Sequence, residues 1–179
     1  MKPTIIAIVG ESGSGKTTAA EYLNEKYGFK LIQSRTTRNP RYERENGHTF
    51  VSNEEFDTYR VDDMIAFTEF GNNRYCCLHE DVSEDVNIYV IDEFGLSYLK
   101  ETCSDRYNVK SIRIIRNRED RIASVGLERV ERDNGMFEMP YSSFDFFIEG
   151  GDKKVLFHYL DNFVKSKISL YYIDLLKFF

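Results

Sequence analysis

No stretch of this 179-residue chain approaches the ~18 consecutive apolar residues that a membrane-spanning helix needs. No membrane association is expected from it. Met1-Lys2-Pro3-Thr4 leads straight into a short apolar run, so no cleavable leader is expected either. Cysteine is scarce. Cys76, Cys77 and Cys103 are odd in number, and neighbours such as the first two rarely bond to each other. The chain lacks a zinc spacing, and His48, His79 and His158 show no ligand pattern. Reduced thiols with a packing role, in a cytoplasmic protein, are the expectation. Positive charge is not in excess: 24 Lys and Arg stand against 30 Asp and Glu, a net charge of −6. That balance argues against a general nucleic-acid binder. Internal repeats and low-complexity segments are absent. What remains is ordinary for a soluble globular domain, 41% hydrophobic and 30% charged, and long enough to bury a substantial core.

The most informative stretch is GESGSGKTT, Gly10 to Thr18, directly after the apolar run Ile5-Ile6-Ala7-Ile8-Val9. It fits G-x-x-x-x-G-K-[ST] without a mismatch. Gly10, Gly13 and Gly15 allow the backbone to wrap an anion, with Ser12 and Ser14 between them, so that N–H groups converge on a phosphate. Lys16 is placed for the outer phosphates, Thr17 for a magnesium ion, and Thr18 continues the turn. A helix from Lys16 to Tyr27 would add the positive end of its dipole. Strand, loop and helix come in the required order, which predicts a nucleoside triphosphate site, with Lys16 in a solvent-facing loop.

Strands are expected at 4–9, 29–33, 49–51, 64–70, 74–78, 88–91, 109–115 and 144–148. Helices are expected at 16–27, 96–103, 117–133 and 153–164, with Ser52 and Glu55 forming a capping box for another. Alternating strands and helices give an α/β fold with a parallel sheet covered on both faces. Residues 34–80 break the rhythm and read as an inserted sheet-containing lobe. The core would then be 1–33 and 81–179, with a short lid at 117–132. The apolar end, Ile168 to Phe179, is expected to cap the core or to form an oligomer contact.

SRTTRNPRYERENG, Ser34 to Gly47, carries arginines at 35, 38, 41 and 44. Such runs are usually solvated. Here Pro40 prevents a simple exposed helix, and arginine forks suit phosphate oxygens. Arg38 and Arg41 are therefore expected to grip a second phosphate.

With IVGESGSGKTT, SRTTRNPR, ENGHTFVSNEEF, GNNRYCC and IDEFG in that order, the chain resembles the guanylate kinase family from Ile5 to about Asp161. The resemblance implies a P-loop kinase fold and a nucleoside monophosphate acceptor, with GMP or dGMP leading and ATP and magnesium as co-substrate and metal. It implies Ser34, Arg38, Arg41 and Tyr75 at the acceptor, Asp92 near magnesium, and Arg129 reaching the transferring phosphate from the lid. There are departures. Phe50 stands where the family has tyrosine, and Cys77 where it has serine. The guanine-reading glutamate falls at Ala66, and Glu69, three residues away, is the substrate-binding candidate that a one- or two-residue gap would bring to that place. Glu149 replaces an asparagine near the adenine. Arg118 or Arg121 would stand in for an absent lid arginine.

Phosphoryl transfer needs positioning and charge neutralisation rather than covalent chemistry, and these residues supply both. Two alternatives remain open: a kinase of the same fold acting on another nucleotide or a phosphorylated sugar, and a non-catalytic module that binds protein partners. Oligomeric state is open.

Overall fold

The computed structural model describes residues 2–45 and 47–168. Most of the apolar tail lies outside the described residues. Its first residue, Ile168, is buried at the end of the last helix.

The chain runs β1 (Thr4–Val9), α1 (Lys16–Tyr27), β2 (Lys30–Ile32), β3 (Ser34–Thr36), β4 (His48–Phe50), α2 (Asn53–Phe56), β5 (Met64–Phe70) and β6 (Asn73–Leu78). It continues with β7 (Val86–Val90), α3 (Glu93–Cys103), β8 (Asn108–Ile115), α4 (Arg118–Val125), α5 (Leu127–Arg132), β9 (Phe146–Glu149) and α6 (Lys153–Lys167).

Five strands form one parallel sheet in the order β2-β7-β1-β8-β9. β1 lies in the middle, and every one of its residues is buried, as expected of a strand covered on both faces. The alternation of a strand divides its side chains. Ile6 and Ile8 face a core shared with Leu23 of α1 and Leu160 and Phe163 of α6. Ile5, Ala7 and Val9 face the other core, with Leu96 and Leu99 of α3. Tyr22 of α1 stacks on Phe157 of α6 at 3.9 Å, and Asp161 accepts from Tyr22, Tyr27 and Lys26 at 2.7–2.8 Å. The C-terminal end of β1, beside the crossover between β7 and β8, is where α/β sheets open a ligand crevice.

Residues 34–78 build a second, four-stranded sheet in the order β4-β3-β6-β5. β3 corrects the sequence reading, which ran a loop from Arg35. The chain leaves the first sheet after Ile32 and pairs at once with β6, Arg35 opposite Cys76 and Thr36 opposite Tyr75. That partner lies some forty residues away, so local pattern could not reveal it. The expected helix 117–133 also divides, at Gly126. Its φ of 87° and ψ of 157° lie outside helical space and are open to glycine. α3 begins three residues earlier than expected because Asp92 caps it, accepting from Gly95 N–H at 2.7 Å. Ser52 caps α2 through Glu55 N–H, but the Glu55 carboxylate turns to the Tyr59 hydroxyl. Only half of the capping box forms. All three cysteines are free and buried, and no helix among the described residues is long and apolar enough to cross a membrane.

Candidate active site

β1 delivers the chain into the Gly10–Thr18 loop, and α1 starts at Lys16. Gly13 has a φ of 78°, and a Cβ there would come within 3.1 Å of the Arg121 backbone of α4. Glycine therefore lets the loop and α4 meet. Ser14 N–H closes a turn onto the Glu11 carbonyl at 3.1 Å. The Lys16 amine turns inward, donating to the Gly10 carbonyl at 2.5 Å and the Glu11 carbonyl at 2.9 Å. Burial is the main cause lowering its pKa to about 8, and Arg129 and Arg113 add to the effect against Asp133 and Glu11. The expectation of a lysine facing solvent is corrected: the side chain is only partly exposed, and its amine is tied to the loop's own carbonyls.

Thr17 is exposed at the first turn of α1, while Thr18 is partly covered. Asp92 commits one carboxylate oxygen to capping α3, and burial raises its pKa against hydrogen bonds from Gly95 N–H and the Thr68 side chain. A magnesium ion carried by phosphates typically takes only one or two protein oxygens and keeps its waters. Thr17 and Asp92 suit that requirement. No cluster of three or more metal-ligating side chains occurs among the described residues.

The second sheet gathers Ser34, Arg38, Arg41 and Tyr75 at one place. Ser34 Oγ lies 2.9 Å from His48 Nδ1, and the His48 ring meets the Tyr75 ring edge-on. Burial, then Arg38, holds the imidazole below its usual pKa. The Arg38 guanidinium lies over the Phe50 ring at 5.3 Å, so the phenylalanine at this position contributes a face in place of a hydroxyl. Glu45, missed in the sequence reading, holds the two arginines together. Its carboxylate takes both Arg38 nitrogens at 2.8 and 3.1 Å, Arg41 N–H at 2.6 Å and the Arg41 guanidinium at 3.3 Å. Its side chain is only 5% exposed. The Arg38 hydrogen bond is the leading cause that lowers its pKa to about 2.

Strand alternation separates the base-reading candidates. Ala66, Thr68 and Phe70 share one face of β5, whereas Phe67 and Glu69 take the other. Ala66 pairs with Cys77 across the β5–β6 register, and both are buried in the core with α3. Glu69 is exposed and pairs with Arg74, whose guanidinium lies over Phe56 of α2 at 4.5 Å. Glu69 is thus not brought together with Thr68 and Asp92.

The lid arginines divide as well. Arg118 makes an exposed contact with Glu131 at 3.8 Å. Arg121 is buried on the phosphate loop, 3.0 Å from the Glu11 carboxylate, and its Nε and Nη1 have no partner among the described residues. Arg129 extends from α5, its Nε buried and likewise unpartnered. Its charge acts on both Lys16 and Arg41. Arg113 joins from β8, paired in the interior with Glu93 at 2.9 Å, and Glu93 also accepts from Glu138 and Met139 N–H at 2.7 Å. Asp133, just beyond α5, accepts from Ser12 N–H at 2.5 Å. In the sequence Glu45 and Glu93 lie inside ENGHTFVSNEEF and IDEFG, but nothing local marks either acid, or Asp133, as one that will be buried.

A glycine-rich loop after the central strand of a parallel sheet, a second small sheet whose connecting loop carries two arginines, and a short helix bearing another arginine match the P-loop kinase fold. No known family profile matches the chain. A guanylate kinase from Fusobacterium nucleatum subsp. nucleatum is 31% identical over 83 residues, and the match spans 45% of this chain and 45% of that protein's length. The crystal structure of guanylate kinase from Anaplasma phagocytophilum superposes with a TM-score of 0.69 at 20% identity, covering 93% of this chain and 86% of that one. A sugar kinase from Janibacter sp. HTCC2649 superposes with a TM-score of 0.52 at 14% identity, covering 92% of this chain and 96% of that one. The structural likenesses are likenesses of fold; the partial sequence match and the fold together support the resemblance to guanylate kinases.

Proposed function

We propose that this protein is an ATP-dependent nucleoside monophosphate kinase of the cytoplasm, with GMP or dGMP as the leading acceptor. The observation that carries the reading is Arg129, whose buried Nε has no partner among the described residues and whose charge acts on both Lys16 and Arg41. A cation that acts on both phosphate sites suits transfer between them, because charge spreads over the moving group.

In this reading Gly10 to Thr18 cradle the donor phosphates, and Lys16 neutralises the outer ones. Arg38 and Arg41 fix the acceptor phosphate in line, with Ser34 and Tyr75 beside it. Arg129 and Arg121 stabilise the transferring group. Magnesium, held by Thr17 and by Asp92 through water, would supply charge neutralisation on the donor phosphates. The functional division is a core of 1–33 and 81–179, an acceptor lobe of 34–80 and a lid of 117–132. Closure of lobe and lid would exclude water, which otherwise competes as acceptor.

Ala66 and Cys77, where the resemblance implies polar base readers, are withdrawn into the core with α3, which favours loose base selection within this activity. A site built to hydrogen-bond its substrate rejects analogues by large factors, whereas an apolar surface discriminates weakly. GMP is then used, but not by several powers of ten over other monophosphates. The same observation favours a second reading, a kinase for another nucleotide or a phosphorylated sugar. The test is a coupled assay of phosphate transfer from ATP across a panel of nucleoside monophosphates and sugar phosphates. Transfer to none of them would refute the kinase reading.

A further inference from the structure

Ser12 N–H belongs to the phosphate loop, where backbone N–H groups converge on an anion. That donor is already taken by a carboxylate of the chain itself. Asp133 Oδ2 accepts from it at 2.5 Å, and the Asp133 side chain is 5% exposed. Arg132 completes the contact, reaching Ser12 Oγ at 3.1 Å and Asp133 Oδ1 at 3.2 Å. The Asp133 charge also acts on Lys16, the loop's own cation. An anionic oxygen on a loop amide with a cation at its side is the arrangement that a donor phosphate would adopt.

The carboxylate sits at the end of a short helical segment bounded by glycines. α5 lies between Gly126, with a φ of 87°, and Gly135, with a φ of 73°, two points where backbone rotation carries no Cβ penalty. The same six-residue helix bears Arg129, and Arg132 rests over Phe70 of the acceptor lobe at 4.8 Å.

We propose that Asp133 is a built-in competitor of the donor nucleotide: its carboxylate and a donor phosphate exclude each other from Ser12 N–H, and displacing it frees α5 and Arg129. The proposal rests on the phosphate loop binding ATP, but not on which acceptor is used. The energetic consequence is direct. ATP binding must first break a charge-assisted hydrogen bond and separate a carboxylate from Lys16, so wild-type affinity lies below the loop's own capacity. A hydrogen bond involving a charged group contributes enough that its removal corresponds to about tenfold or more in an equilibrium constant.

The test is titration calorimetry of ATP, and of inorganic tripolyphosphate, with wild type, Asp133→Ala and Asp133→Asn. Thermal melts establish that each variant is folded. Asp133→Ala is expected to bind both ligands about tenfold tighter or more, and Asp133→Asn, which keeps an accepting oxygen without the charge, to fall between. Should the alanine variant fail to fold, the nearly isosteric asparagine variant decides alone. Glu128→Gln on the exposed face of α5 makes the same change in net charge away from the loop, and is expected to alter affinity less than about twofold. Unchanged or weaker ATP binding in folded Asp133 variants, or equal tightening in Glu128→Gln, overturns the proposal. Lys16→Ala separates the two levels of inference. Lys16-dependent ATP binding that ignores Asp133 refutes only the competitor, whereas no ATP binding by any variant refutes the donor site as well.

Discussion

Replacing Glu45 by glutamine removes the one negative charge shared by Arg38 and Arg41 while leaving the shape of the side chain intact. The Glu45 carboxylate makes four polar contacts with the two arginines, at 2.6, 2.8, 3.1 and 3.3 Å. A carboxyl that ionises near 2 instead of 4.5 is held in place by roughly 3 kcal/mol, at ~1.4 kcal/mol for each pH unit. Solvent screening does little to reduce this, because the Glu45 side chain is 5% exposed and that of Arg38 12%. Breaking a buried pair by deleting one partner costs about 3–5 kcal/mol. The lower end applies, since Arg41 is 39% exposed and can turn to water. For a protein of this size that loss corresponds to a fall in Tm of about 6–12 °C.

The pH dependence identifies the cause. The Glu45 pKa is depressed by folding, so its contribution is complete above about 4.5 and disappears as pH falls toward about 2. Urea denaturation of wild type and Glu45→Gln should therefore show the full difference at pH 7, reduced by about half near pH 3. Added inorganic phosphate should restore more stability to the variant than to wild type, because it supplies the missing anion. Equal urea midpoints at pH 7, or a gap unchanged at pH 3, would refute this account of the arginine pair.

Lys16→Ala should abolish phosphoryl transfer without lowering Tm below pH 8, because a buried ammonium with a depressed pKa stabilises nothing in that range; full activity in a folded variant refutes the kinase reading. ATP affinity should fall as pH rises above about 8, where Lys16 loses its proton, and calorimetry showing constant affinity from neutral to strongly alkaline pH refutes its role. Arg38→Ala and Arg41→Ala should each raise the acceptor KM by about tenfold or more and leave ATP binding nearly unchanged. Loss of the thermal shift with ATP would assign these arginines to the donor. Glu69→Ala should not alter the ranking of acceptors, since Glu69 lies on the face of β5 away from Thr68 and Ala66; GMP preference that vanishes in this variant would show that Glu69 reads the base.

Local sequence was enough for the phosphate loop, because strand, glycine-rich turn and helix are contiguous and each residue type has a local reason. It was also enough for α1, whose bounds fall at Lys16 and Tyr27 as expected, and for the parallel sheet, because a strand buried on both faces is predominantly apolar. The arginines of 35–44 stood out by composition, and two of them, Arg38 and Arg41, share the Glu45 carboxylate. Tertiary structure alone decided what the acids do. Glu45, Glu93 and Asp133 resemble any surface carboxylate in sequence, yet each is buried against a guanidinium or a backbone amide supplied by chain packing. It also decided which face of β5 is buried. The pairing with β6, Ala66 opposite Cys77, turns Ala66 to the α3 core and leaves Glu69 exposed. A strand exposes opposite faces at successive residues, so register, a property of two segments together, determines which side chains enter the core.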